Sequence, residues 1–124
     1  MNHEAALNKK LRYLQNRIAM TEALMAFLRK HPAVASRTIN WHLSNKPALC
    51  FEEKAFIRTM NVKGKDKVAL RLERYVEDFN DGDPERRVIC DDVSDLSPTE
   101  LDKVLKKVRV DLSKTAEEDE EEDF

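Results

Sequence analysis

The sequence predicts a mainly α protein: a compact helical domain with a long N-terminal helix, at most a small β-hairpin, a C-terminal helix and a disordered acidic tail. Three observations predict it. Only two glycines, Gly64 and Gly82, occur in 124 residues of which 37% are charged, a composition poor in the tight turns that sheet-rich folds use. An apolar repeat at alternating four- and three-residue steps runs through the first quarter of the chain. A complete helix-start signal stands at Ser97. At this length the chain forms one domain, residues 1–113, followed by a tail at 114–124.

The first helix spans about 4–31. Leu7, Leu11, Leu14, Ile18, Thr21, Met25 and Leu28 form a seam with one polar interruption. Arg29, Lys30 and His31 suit a helix C-terminus, and Pro32 stops the run. A helix of roughly 40 Å is long for so small a domain to cover. Homodimerisation through Leu7, Leu11, Leu14, Ile18, Met25 and Leu28 is therefore expected, against the plainer alternative of a long core helix. A second helix follows, capped by Ser36 with Ile39 and Leu43 on one face, and ends at Asn45-Lys46-Pro47. FEEKAFIRTM reads as a third, with Phe51, Ala55 and Met60 near one side, and Gly64 marks a turn. DKVALRLERYVEDF fits two periods. Val68, Leu70 and Leu72 alternate like a strand, but the longer repeat Val68, Leu72, Tyr75, Phe79 and a cap at Asp66 favour helix. NDGDPE is a turn and RRVIC a short strand. The last helix covers 97–113, with Ser97 as cap, Pro98 in the first position and Glu100 completing a capping box. Its buried face is Leu101, Val104, Leu105, Val108 and Leu112.

The net charge of −2 conceals a separation. Residues 1–76 carry fifteen Lys or Arg against six Asp or Glu, and residues 77–124 seven against eighteen. Such asymmetry points to a polyanionic partner or to a tail that competes with one. No signal-peptide pattern and no membrane-length apolar run are present, so a cytoplasmic protein without a membrane partner is expected. Cys50 and Cys90 lack metal or redox spacing and read as reduced thiols. His3, His31 and His42 are scattered, and neither glycine sits in a phosphate-cradling loop. Asp91, Asp92 and Asp95 are acids of a solvated linker more readily than metal ligands. No enzyme, no metal and no cofactor are expected. The basic half does hold material for nucleic-acid contact: Arg37, Lys46, Lys54, Arg58, Lys63, Lys65 and Lys67, with Thr38, Asn40, Trp41, His42 and Asn45 interleaved. The cations would neutralise phosphates, Asn40 would read a base edge and Trp41 would stack. The bland reading is a solvated basic face with a core Trp.

LMAFLRKHPAVASRTINWHLSNK is similar to the paired helices of a helix-turn-helix, and GDPERRVICDDVSDLSP to the charged wing of MarR-type winged-helix regulators. The resemblance covers roughly residues 24–105. It implies a helix-turn-helix-like body at 34–96, DNA contacts from Arg86 and Arg87 at a wing tip, Ser36, Arg37, Thr38 and Asn40 on the helix-turn-helix, and a dimer built from helices at both chain ends. The tail EEDEEEDF resembles the acidic, Phe-terminated tails of single-stranded-DNA-binding proteins. That likeness implies that Glu121, Glu122, Asp123 and Phe124 dock a protein partner, the acids steering and the ring anchoring.

Two functions are consistent with these readings. The first is a small DNA-binding regulator or accessory protein, dimeric, of unspecified strand preference, with a tail that modulates binding or recruits a protein. The second is a protein-interaction module or inhibitor of a phage-like kind, acting through helix pairing and polyanion mimicry without touching DNA.

Overall fold

In the computed structural model, residues 2–43, 45–52, 55–62, 64, 67–77 and 84–113 are described. Their elements are α1 (His3–Lys30), α2 (Pro32–Ala35), β1 (Thr38–Leu43), β2 (Lys46–Phe51), β3 (Ala55–Asn61), β4 (Val68–Glu77), β5 (Pro84–Cys90) and α3 (Pro98–Lys106). The five strands form one antiparallel sheet in the order β1-β2-β3-β4-β5. The fold is therefore a long helix on a β-meander, and the expected mainly α class is corrected. Among the described residues there is neither a helix-turn-helix, nor a winged helix, nor a coiled-coil architecture; the winged-helix expectation is corrected to a helix on an antiparallel sheet.

The first helix forms as the seam and its stop signals predict. The Asn2 side chain accepts from the Ala5 N–H at 3.1 Å, and the His31 N–H closes the other end on the Phe27 carbonyl at 2.9 Å, just before Pro32. The three segments read as helices in the middle are strands. Leu43 pairs with Lys46 across a two-residue connection, and Asn45 in it adopts φ 65°. Asn tolerates that left-handed conformation, so what reads as a helix breaker is a hairpin turn. FEEKAFIRTM supplies β3, in register with β4 from Ala55↔Arg74 to Asn61↔Val68. In β4 the alternation of Val68, Leu70 and Leu72 is the true period. The competing helical repeat arose because the strand also carries apolar residues on its other face, which dilutes a period of two. RRVIC lies within β5, which is kinked by a register shift opposite Leu72 and Glu73. Gly64 turns between β3 and β4 with φ 77°, where an added Cβ would meet nothing but the backbone strain.

One core holds the layers together. Leu24 and Phe27 of α1, Val34 of α2, Leu49 and Phe51 of β2, Ala55 and Ile57 of β3, Leu70 and Leu72 of β4, and Leu101 and Leu105 of α3 pack in a single cluster. Alternate strand residues share a face, so α1 and α3 lie on the same side of the sheet. The capping box at Ser97 and Glu100 is formed, but α3 stops at Lys106 rather than continuing to residue 113. Arg109 turns the chain at φ 62° and the Val110 N–H reaches back to the Leu105 carbonyl at 3.0 Å, a Schellman-type stop built without glycine. No helix among the described residues is long and apolar enough to cross a membrane.

Candidate interaction surfaces

The expected dimerisation stripe is where α1 departs from the rest of the fold. Every residue from Asn2 to Asn16 is exposed. Burial starts at Met20, Leu24 and Phe27, where the helix meets the sheet. Arg17 marks the crossing: its Nη1 donates to the Asn45 carbonyl in the β1–β2 turn and to the Tyr13 hydroxyl at 3.3 Å. The first four turns thus project about 21 Å beyond the sheet. Along them and onward, Leu7, Leu11, Leu14, Ile18 and Met25 are 44–57% exposed. Leu28, the last of the predicted set, instead packs half-buried against the core. Thr21, whose hydroxyl donates to the Arg17 carbonyl at 2.8 Å, interrupts the stripe without breaking the helix. Beside the stripe, Met25, Leu24 and Leu28 line a groove of about 370 Å³ with Asn40, His42, Pro47 and Leu49 of β1 and β2. The groove exists because β1 is an edge strand that α1 does not cover.

The second surface is the sheet face turned away from the helices. Register sets its rows: Trp41, Ala48, Arg58 and Arg71 cross four strands in line, and Ile39, Cys50, Phe56, Glu73 and Val88 form the next row. Tyr75 and Arg86 pair at its end. Phe56 lies against Tyr75 with ring centres 5.2 Å apart. Glu73 is buried, and its Oε2 lies 3.9 Å from Arg58 Nη1 and 4.0 Å from Arg86 Nη1. Arg71 Nε is 3.8 Å from the exposed Asp91 carboxylate. These are ion pairs rather than hydrogen bonds, and the buried Nε atoms of Arg58 and Arg71 have no hydrogen-bond acceptor.

The candidate nucleic-acid residues therefore scatter. Trp41, Lys46, Arg58 and Arg86 belong to the outer-face positions. Thr38 and Asn40 belong to the opposite side of β1, and the Thr38 hydroxyl is used internally on the Val34 carbonyl at 2.9 Å. Arg37 is buried and engaged within the fold. Lys67 is committed to Asp92 at 3.4 Å and Asp95 at 3.9 Å. Arg87 is exposed, on the strand register next to Arg74. Lys54, Lys63, Lys65 and the tail residues Glu121, Glu122, Asp123 and Phe124 lie outside the described residues. Sequence reasoning missed Arg71 and Glu73. Reading β4 as a strand places both, with Tyr75, at alternate positions of one face.

Asp92, read as a linker acid, is a structural acceptor. Its Oδ1 takes the Leu70 N–H at 3.1 Å and the Ser94 N–H at 3.0 Å, with the Ser94 hydroxyl also donating. Burial pushes its pKa up, but the bonds from Ser94, Leu70 and Lys67 outweigh this and hold the carboxyl below its ordinary range. Burial raises the Cys50 thiol, and both cysteines are free. No group of three or more metal-ligating side chains occurs among the described residues. Comparison with known proteins adds no identity: no protein-family model, no curated protein and no solved structure matches the chain.

Proposed function

We propose that this chain is a non-enzymatic interaction module whose α1 receives a helix of another protein. The observation that carries it is the row Leu7, Leu11, Leu14, Ile18 and Met25, each 44–57% exposed on one side of a helix whose residues from Asn2 to Asn16 are all exposed. An isolated helix of that length is marginal in water, and contiguous exposed apolar surface on a soluble domain marks an interaction site. Charge selects the occupant. Lys10 and Arg17 flank the stripe along one edge, so an amphipathic helix with an apolar stripe and acidic flanks is complementary. A second copy of α1 would bring the same cations to the seam, with Arg17 and Glu22 as its one opposite-charge pairing in a parallel arrangement. The groove between α1 and β1 extends the same apolar surface and gives the partner helix a bed on the sheet. Free Cys50 and Cys90 suit a reducing, cytoplasmic setting.

The test is a titration of the full chain into a labelled synthetic 28-residue helix with Leu and Ile at the same three- and four-residue steps and Glu on both flanks. Saturable binding that Leu11→Glu with Ile18→Glu abolishes is expected, with the free chain sedimenting as a monomer. A free chain that is already a stable dimer through this stripe overturns the choice of partner. Binding unaffected by the double variant overturns the site.

A further inference from the structure

We propose that the outer face of the sheet binds single-stranded nucleic acid, with Trp41 as the stacking group and Arg58, Arg71 and Arg86 as the phosphate contacts. The surface shares Trp41 with the groove between α1 and β1; its arginines lie on β3, β4 and β5. Three features of it point to such a ligand.

The first is electrostatic. Arg58 and Arg71 are direct register partners on β3 and β4, an arrangement that sets their Cβ atoms about 5 Å apart and is unfavourable for like charges. Arg86 adds a third guanidinium around the same Glu73 carboxylate that faces Arg58. Three arginines are thus balanced by one buried acid, Glu73, and one exposed acid, Asp91, and all the pairings lie at 3.8–4.0 Å. A phosphate seated there would relieve the repulsion and offer the missing short contacts.

The second is hydrogen bonding. The Nε donors of Arg58 and Arg71 are both buried and lack an acceptor. Glu73 Oε2 is likewise buried without a donor, so the guanidinium groups and the acid are imperfectly paired, and such groups are expensive to leave unmade.

The third is the aromatic end of the row. Trp41 is 51% exposed on the edge strand β1, separated from Arg58 by the small Ala48. Ile39, 61% exposed, lies two residues away on the same face. From Trp41 to Arg71 the row crosses three strand spacings, about 14 Å, room for a short run of unpaired nucleotides with one base on the indole. A duplex hides its base faces, so a planar exposed ring beside the arginines suits a single strand.

Trp41 is the only tryptophan in the chain, which makes it a built-in reporter. The full chain is titrated with a twenty-residue oligothymidylate at about 50 mM salt while the indole emission is followed, with heparin and a duplex as comparisons. Quenching by the oligonucleotide is expected, with log K falling by about 2 per decade of salt for three phosphates at ~0.7 each. Arg58→Gln with Arg71→Gln should weaken binding at least tenfold. Arg86→Gln, at a more exposed position, should weaken it severalfold and covers the case in which the double variant fails to fold. Absence of quenching overturns the proposal. So does equal quenching by heparin or duplex, which would mean an unspecific anion site, or unchanged affinity in Arg86→Gln together with a folded double variant.

Discussion

Asp92 ties the end of β5 to β4 by accepting the Leu70 and Ser94 N–H groups, and its replacement should be felt in stability. Asp92→Ala is expected to cost about 2 kcal/mol, the scale of hydrogen bonds to a charged acceptor, read from urea unfolding. Because its folded pKa lies below the ordinary value near 3.9, the stabilisation is present above that pH and lost as pH falls through the folded value. The Asp92→Ala variant should therefore lack part of the acid limb of stability. His31 acts in a higher window. Burial lowers its pKa, the charge of Lys30 adds to this, and the hydrogen bond with the Leu96 backbone opposes both. The unfolded chain then takes up a proton near pH 6.5 while the folded one resists it, so stability should decline as pH drops below about 6.5. His31→Gln should flatten that segment of a pH series of thermal unfolding. Ser97 is the simplest case: its hydroxyl accepts the Glu100 N–H at 3.2 Å, and Ser97→Ala should cost about 1 kcal/mol. That cap was legible in the sequence because capping depends on residues three apart. The tie from Asp92 to β4 was not, because the Leu70 N–H lies twenty-two positions away.

Within α1 one helix holds two kinds of apolar residue that periodicity alone does not separate. Phe27 is 2% exposed, and Phe27→Ala should cost about 3–5 kcal/mol. Leu14 is 53% exposed, and Leu14→Ala should change stability by less than about 0.5 kcal/mol. Paired denaturation curves for the two variants check this directly. The seam from Leu7 to Leu28 was readable as a helix and as a set of candidate contacts. Which members face the protein's own core depends on where the sheet ends, at the Asn45 turn. The strands were harder. β3 puts Phe56, Arg58 and Met60 opposite Ala55, Ile57 and Thr59, and both sets hold buried residues, so polar and apolar positions do not alternate cleanly. Only β5, with its compact RRVIC run, declared itself.

At the scale of the whole molecule, the separated charges divide differently from the expectation of a single basic binding half. Part of the positive charge is engaged within the chain: Arg37 is buried, and the exposed Lys67 is paired with Asp92 and Asp95. Among the described residues, Lys9, Lys10 and Arg12 lie on the projecting turns of α1, and Arg58, Arg71 and Arg86 on the outer sheet face. The helical layer covers one side of the meander and leaves β1, its groove and the stripe of α1 open, so the fold stabilises itself at one end of α1 and presents the other. Hydrogen exchange at the α1 amides is the most direct test. Free chain should exchange rapidly from His3 to Asn16 and slowly from Met20 to Leu28, and the acidic synthetic helix should slow the first segment by at least tenfold. Strong protection of His3–Asn16 in the free chain, or no added protection at saturating helix, would contradict α1 as a docking site for a partner's helix.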